Sequence, residues 1–259
     1  MEAPVVRAGG RNTAMGWTAS LEALKGRIDA LADGLGKGSV KAVVSPFWSN
    51  EDLGAVARLI ETLGGGSIVF RSPRANAEVA LKGFEGLARR KDLTPNARGA
   101  ELLGYERVGD DAGQGGLDEL ADHDGVVLVL GDALDDLLEG TTKNAALVVY
   151  FGAYTSPALT SADFQFPITT FAEQEGTFTN LDGRVQRFWP ALSAPGAARP
   201  AWLVLGALSG ALRDEEGPSR ADQAFALVAQ AVESYEGMDY ETIGAEGVQS
   251  NASAPVRGD

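Results

Sequence analysis

Two uninterrupted apolar runs, Val126–Leu130 and residues 145–151, constrain the fold more than any other feature of this chain. A strand with one wet face alternates apolar and polar side chains. A run without alternation suits burial on both faces, as in a parallel sheet covered by helices. Val40–Val44, Ser67–Phe70 and a segment around Phe164 and Phe166, just before Pro167, fit the same sheet. From Trp17, residues Leu21, Leu24, Ile28 and Leu31 recur at spacings of four, three, four and three, marking one face of a helix that Gly34 ends. Ser49 with Asp52 three residues later forms an acidic variant of a capping box. It opens a second helix with Leu53, Val56, Ile60 and Leu63 on one face, stopped by three glycines at 64–66. Alternating helix and buried strand predicts an α/β fold: an open, mostly parallel sheet with helices on both faces, Rossmann-like, in one domain.

The remaining stretches carry weaker patterns. Residues 77–90 suggest a helix, although Gly83 and Gly86 interrupt it. Residues 93–104 read as a turn and a short helix ended by Gly104, followed by a Gly/Asp loop over 108–116 and one or two helical turns over 117–121. Residues 133–139 suggest a short helix between the two apolar runs. Helices over 201–212 and 220–235 close the domain, the second with Phe225, Val228, Val232 and Tyr235 on one face. The expected organisation is an irregular arm over 1–16, an α/β domain over 17–236, and a polar, unperiodic disordered tail over 237–259.

Composition removes several function classes. Acidic residues outnumber basic ones 36 to 22, giving a net charge of −14 that repels a phosphate backbone, so no nucleic-acid partner is expected. With no cysteine, the chain offers no disulfide, no thiolate ligand for iron–sulfur or molybdenum, and no cysteine nucleophile. The single histidine, His123, lies between Asp122 and Asp124 in a polar turn and reads as a surface residue ahead of a strand. No run of about 18 apolar residues is present, so no direct membrane insertion is expected. The N-terminus lacks the basic and apolar regions of a secretory signal, so the expected location is cytoplasmic.

The glycine clusters do not make phosphate loops. Residues 34–39 lack the required spacing and precede a strand, whereas a phosphate cradle follows one and opens a helix. Residues 113–116 lie beside Asp110 and Asp111, which disfavour an anion, and 64–66 is a helix stop. The acidic pairs Asp135-Asp136 and Glu215-Glu216 read as solvated faces.

A denser signal lies between 162 and 202. It runs Ala162-Asp-Phe-Gln-Phe-Pro167, Phe171-Ala-Glu173, Gly176-Thr-Phe-Thr-Asn180, Gly183-Arg-Val-Gln186 and Pro195-Gly-Ala-Ala-Arg199, before Trp202. In order and spacing over about forty residues this resembles the molybdopterin oxidoreductase family. Within that family it is most similar to the large iron–sulfur subunit of bacterial NADH:quinone oxidoreductase, respiratory complex I. Trp17 to Leu24, Ser45-Pro46 with Asn50-Glu51, and Asn96-Ala-Arg-Gly-Ala100 add to the likeness.

The resemblance implies one α/β domain of that family, without its cysteine modules, its inserted second α/β domain or its closing β-barrel. In cofactor-bearing relatives the matching hydroxyl, amide and guanidinium groups lie near the pterin nucleotide. Thr179, Asn180, Arg184 and Gln186 are therefore the vestigial cofactor-binding candidates here. They are expected to serve instead as a structural loop or docking surface. Gly176 and Gly183 would set its backbone, Thr179 and Asn180 would satisfy local amides, and Arg184 would pair with Glu173 or Glu175.

The implied role is a non-catalytic accessory or structural subunit of a complex I peripheral arm, with no catalytic residue, no cofactor and no metal. Its expected partners are other peripheral-arm subunits, which would hold it peripherally at the inner membrane. The alternatives are a reduced molybdopterin-binding oxidoreductase subunit and a free-standing α/β interaction domain.

Overall fold

The computed structural model describes residues 1–32, 39–73, 75, 77–85, 87–110, 115–137 and 140–252. In chain order its elements are β1 (Val5–Ala8), β2 (Arg11–Ala14), α1 (Trp17–Ala32), β3 (Val40–Val44), α2 (Asn50–Thr62), β4 (Ser67–Phe70), β5 (Val79–Ala80), β6 (Ala88–Arg89), α3 (Ala97–Leu102) and β7 (Glu106–Arg107). There follow β8 (Val126–Leu130), β9 (Leu147–Gly152), β10 (Phe164–Pro167), β11 (Gly176–Thr179), β12 (Arg184–Phe188), α4 (Ala201–Arg213), α5 (Ala221–Ala231), α6 (Tyr240–Ile243) and β13 (Val248–Gln249).

Eight strands form the main sheet in the order β2-β1-β10-β9-β8-β3-β4-β7. From β10 to β7 every pairing is parallel, and β1 and β2 add antiparallel at one edge. The uninterrupted runs occupy its centre, and every residue of β8 and β9 is buried. Their alternate side chains feed two cores. Val126, Leu128, Leu130, Leu147, Val149 and Phe151 pack with α1, α2 and α4, while Val127, Val129, Val148 and Tyr150 pack with residues at 117–120, 133–134 and 158–162. Single-turn 3₁₀ helices at Asp118–Leu120 and Pro157–Leu159 cover that second face. Burying a Val or Leu fully contributes about 1.5–3 kcal/mol, so the two central strands anchor the fold. A third core joins α4, α5, α6 and the β11–β12 hairpin around Val185, Trp202, Phe225, Tyr235 and Tyr240.

Five local expectations give way. Residues 1–16 are not irregular: β1 and β2 form a hairpin along β10, with Val5 opposite Gln165. Among the described residues of 77–90 there is the short β5–β6 hairpin and no helix, because Leu81, Phe84 and Leu87 all face solvent and no core draws a helical face inward. Residues 133–137 form turns. The Arg71 guanidinium binds the carbonyl of Ala133 and both carboxylate oxygens of Asp136, diverting groups that a helix would use. The segment after 237 is ordered through residue 252. Asp239 caps α6, Tyr240 and Ile243 are buried, and β13 pairs with β12. The last expected helix also ends early, at Ala231, where Val232 turns extended and Glu233–Tyr235 forms a separate 3₁₀ turn.

The helix end expected at Gly34, most of the glycine clusters at 34–39 and 113–116, and residues 253–259 of the expected tail lie outside the described residues.

Candidate functional site: a buried polar cluster at the start of α2

The capping box at Ser49 is present, and its side chains do far more than cap. Ser49 Oγ accepts from the Asp52 amide (3.1 Å), and Asp52 Oδ2 accepts from the Ser49 amide (3.1 Å) and hydroxyl (2.8 Å). Ser49, Asn50, Glu51 and Asp52 are all completely buried. Four consecutive polar residues with no exposure require a matching set of partners, since an unpaired buried polar group costs about 1–3 kcal/mol and a charged one more.

The partners come from the hairpin, from Asn96, Gln174 and Trp202, and from Tyr235 and Tyr240. Glu51 Oε2 accepts from the Thr177 amide (2.8 Å), and its Oε1 accepts from the Thr177 hydroxyl (2.9 Å) and the Tyr240 hydroxyl (2.8 Å). Asn50 Nδ2 donates to the hydroxyls of Thr177 and Thr179, each at 3.0 Å. Thr179 Oγ1 shares a 2.8 Å hydrogen bond with the Tyr235 hydroxyl, and the Thr179 amide donates to Asn96 Oδ1 (2.8 Å). Asp52 accepts from the Trp202 amide at the start of α4 (2.9 Å) and from Gln174 Nε2 (2.5 Å), and Gln174 in turn accepts from Thr169 Oγ1 (2.8 Å).

The strand period explains the geometry. Thr177 and Thr179 share the inward face of β11, while Phe178 points the other way onto Phe188, with ring centroids 4.5 Å apart. Gly176 is needed for close approach: a Cβ there would lie 2.9 Å from Ser49 Cβ and 3.0 Å from Glu51 Oε2. Gly183 has φ +83°, the left-handed turn conformation that joins β11 to β12.

Neither buried carboxylate has an ion-pair partner among the described residues. Burial pushes Glu51 up to about 7 against the lowering effect of its hydrogen bonds to Thr177 and Tyr240, and burial also raises Asp52. The positive end of the α2 dipole favours negative charge here. Within the chain, these groups bind β11, α4, α6 and the 3₁₀ turn at Tyr235 to α2. Every side-chain nitrogen and oxygen of Ser49, Asn50, Glu51 and Asp52 has a hydrogen-bond partner within the chain.

The four sequence candidates fall in different surroundings. Thr179 is completely buried in the cluster. Asn180 is half-buried, and its Oδ1 accepts from the amides of Asp182 and Arg184, closing its own turn. Arg184 does not pair with Glu173 or Glu175: its Nη1 donates to the carbonyls of Gly247 (2.8 Å) and Glu246 (3.2 Å). Arg187 takes Glu175 instead (2.6 Å), while Glu173 accepts from the Thr170 amide. The ordered segment after 237 occupies the side of the hairpin that Arg184 meets, and this redirects it. Gln186 is exposed. His123 lies ahead of β8 as expected, half-buried, with Nε2 3.1 Å from the Ser39 carbonyl oxygen. Asn50, Glu51, Asn96, Tyr235 and Tyr240 were not singled out as site residues. The available signal was four polar residues opening an apolar helix, more than a cap requires.

A pterin nucleotide would need free hydroxyl, amide and guanidinium donors converging on one surface. Thr179, Asn180 and the Nη1 group of Arg184 are engaged with the protein's own backbone and side chains, while Gln186 is exposed. Among the described residues, no group of three or more His, Cys, Asp or Glu could hold a metal, and no helix is long and apolar enough to cross a membrane.

Residues 96–211 match the family described as molybdopterin oxidoreductase. The F420-dependent formate dehydrogenase 2 subunit alpha of Methanococcus maripaludis is 31% identical over 129 residues, 49% of this chain and 19% of that protein. The mitochondrial NADH-ubiquinone oxidoreductase 78 kDa subunits of Neurospora crassa and Candida albicans are 36% and 35% identical over 75 residues, 29% of this chain and 10% of each of those proteins. The chain thus spans about a fifth or less of these relatives' lengths. The matched stretch, residues 96–211, includes β11, β12 and part of α4.

Proposed function

We propose that this chain is a non-catalytic accessory or structural unit of a respiratory NADH:quinone oxidoreductase, resembling the large iron–sulfur subunit of that enzyme without its cysteine modules. It would be held in the peripheral arm by protein contacts, on the cytoplasmic side of the inner membrane. The observation that carries this reading is the consumption of the hairpin's polar groups by the fold, with Thr177 and Thr179 on Glu51, Asn50 and Tyr235, and Arg184 on backbone carbonyls. The likeness to the 78 kDa subunits and the absence of cysteine support the same assignment. Electron transfer would then belong to partner chains.

The likeness to formate dehydrogenase alpha subunits favours a second reading, a reduced molybdopterin-binding oxidoreductase subunit. Native purification with an affinity tag separates the two. The accessory reading expects the chain to migrate with an NADH-oxidising complex and to carry no stoichiometric molybdenum, tungsten or pterin. A pterin released on denaturation, at about one per chain, favours the second reading. Absence from any such complex overturns the first.

A further inference from the structure

A different feature lies at the carboxyl ends of the central strands. There β3 leads through α2 to β4 on one side, while β8 leads to β9 on the other, so the connections diverge and open a crevice. Such switch points are where open α/β sheets bind ligands. The cavity measures about 310 Å³, at the small end of ligand sites and suited to one compact group.

Its lining has a definite chemistry. Phe47 and Trp48 follow β3, Tyr150 lies within β9 with Tyr154 just after it, and Phe171 follows β10, so five aromatic residues line the cavity. Asp132 and Asp135 follow β8, are exposed, and have no ion-pair or hydrogen-bond partner for their carboxylates among the described residues. No Lys, Arg or His among the described residues lines the cavity. The neighbouring Asp136 is taken by Arg71, and the α-ammonium of Met1 donates to the Ala153 carbonyl (3.0 Å) and to neither Asp132 nor Asp135. Burial and the charges of Asp135 and Asp132 push the Tyr150 phenol above its ordinary range, and its hydroxyl donates to the Tyr154 carbonyl (2.9 Å).

The geometry points to a binding site for an organic cation, an alkylammonium or guanidinium group seated among Trp48, Tyr150 and Phe171 and neutralised by Asp132 and Asp135. Aromatic faces attract such cations through the ring quadrupole, and weakly hydrated cations lose little on leaving water. An anionic ligand would meet two bare carboxylates and no positive side chain. This inference stands apart from the proposed role, because it concerns the opposite set of polar groups.

Two-dimensional ¹⁵N NMR of the full chain tests it, with arginine amide, tetramethylammonium chloride and guanosine monophosphate as probes. Saturable shifts are expected at the Trp48 indole and the amides of Gly131, Asp132, Tyr154 and Phe171, with Kd of about 1–5 mM, and they should weaken in high salt. Preference for tetramethylammonium assigns a free quaternary ammonium ligand, and preference for arginine amide assigns a guanidinium side chain presented by a partner. The D132N/D135N variant, both positions being exposed, should keep the parent spectrum elsewhere and bind about tenfold or more weakly. Absence of saturation at about 50 mM of either cation, tighter binding of guanosine monophosphate, or unchanged affinity in D132N/D135N overturns the inference.

Discussion

Two acidic pairs sit at the same end of the sheet and have opposite fates. Glu51 and Asp52, in the first turn of α2, are completely buried and surrounded by donors from Thr177, Tyr240, Ser49, Gln174 and Trp202. Asp132 and Asp135, in the loop after β8, are exposed and bare beside aromatic rings. The first pair is engaged because the fold supplies every partner it needs. The carboxylates of the second have no hydrogen-bond or ion-pair partner among the described residues. Acidity in the sequence is the same in both places, and satisfaction separates structure from available chemistry.

The sharpest break of that comparison is truncation. Glu51→Ala leaves the Thr177 amide and the Tyr240 hydroxyl unpaired and should destabilise by about 3–4 kcal/mol in urea unfolding. Asp135→Ala, in the exposed pair, should stay within about 0.5 kcal/mol of the parent. Equal losses at the two positions would erase the distinction drawn between them.

The next effect is on pH. Glu51 rises from its ordinary 4.5 to about 7 in the folded chain, so between these values the native state binds more protons than the unfolded one. Stability from this group is therefore full below about 4.5, declines as pH rises towards 7, and is level above. The span corresponds to about 3 kcal/mol. Asp52, raised by the same burial, acts in the same direction. Glu51→Gln should flatten the profile of Tm between pH 5 and 7, and a slope as steep as the parent's would remove Glu51 as its cause.

Thr179→Val takes one hydroxyl from Asn50 and Tyr235 and should cost about 1–2 kcal/mol without a change in pH slope. The smallest effect belongs to Gln186→Ala. An exposed residue outside the cluster should shift stability by less than about 0.5 kcal/mol, and a larger loss would show that the outer face of the hairpin also carries the fold.

Much of the architecture was legible because it depends on local patterns. The runs at β8 and β9, the helical stripe from Trp17 and the Ser49–Asp52 capping box each specify an element within a few residues. The failures share a cause. Residues 77–90 look amphipathic but meet no core, and 133–137 are claimed by Arg71 from a distant strand end. Residues 240–250 lack periodicity, yet they are held by pairing with Val185 and by Tyr240 on Glu51. Arg184 was assigned to nearby acids, and it found carbonyls more than sixty residues later in the chain.

The sequence by itself determined the parallel α/β core, since two apolar runs of strand length can be hidden only between layers. It also determined that thiolate chemistry is absent, because no cysteine is encoded. Only the tertiary structure decided which polar residues remain available. Thr179, Asn50 and Glu51 carry groups able to recognise a ligand, but folding brings them together from positions up to 129 residues apart and pairs them with one another. A donor's fate depends on which acceptor the packed chain places within about 3 Å, and one-dimensional spacing does not encode that distance.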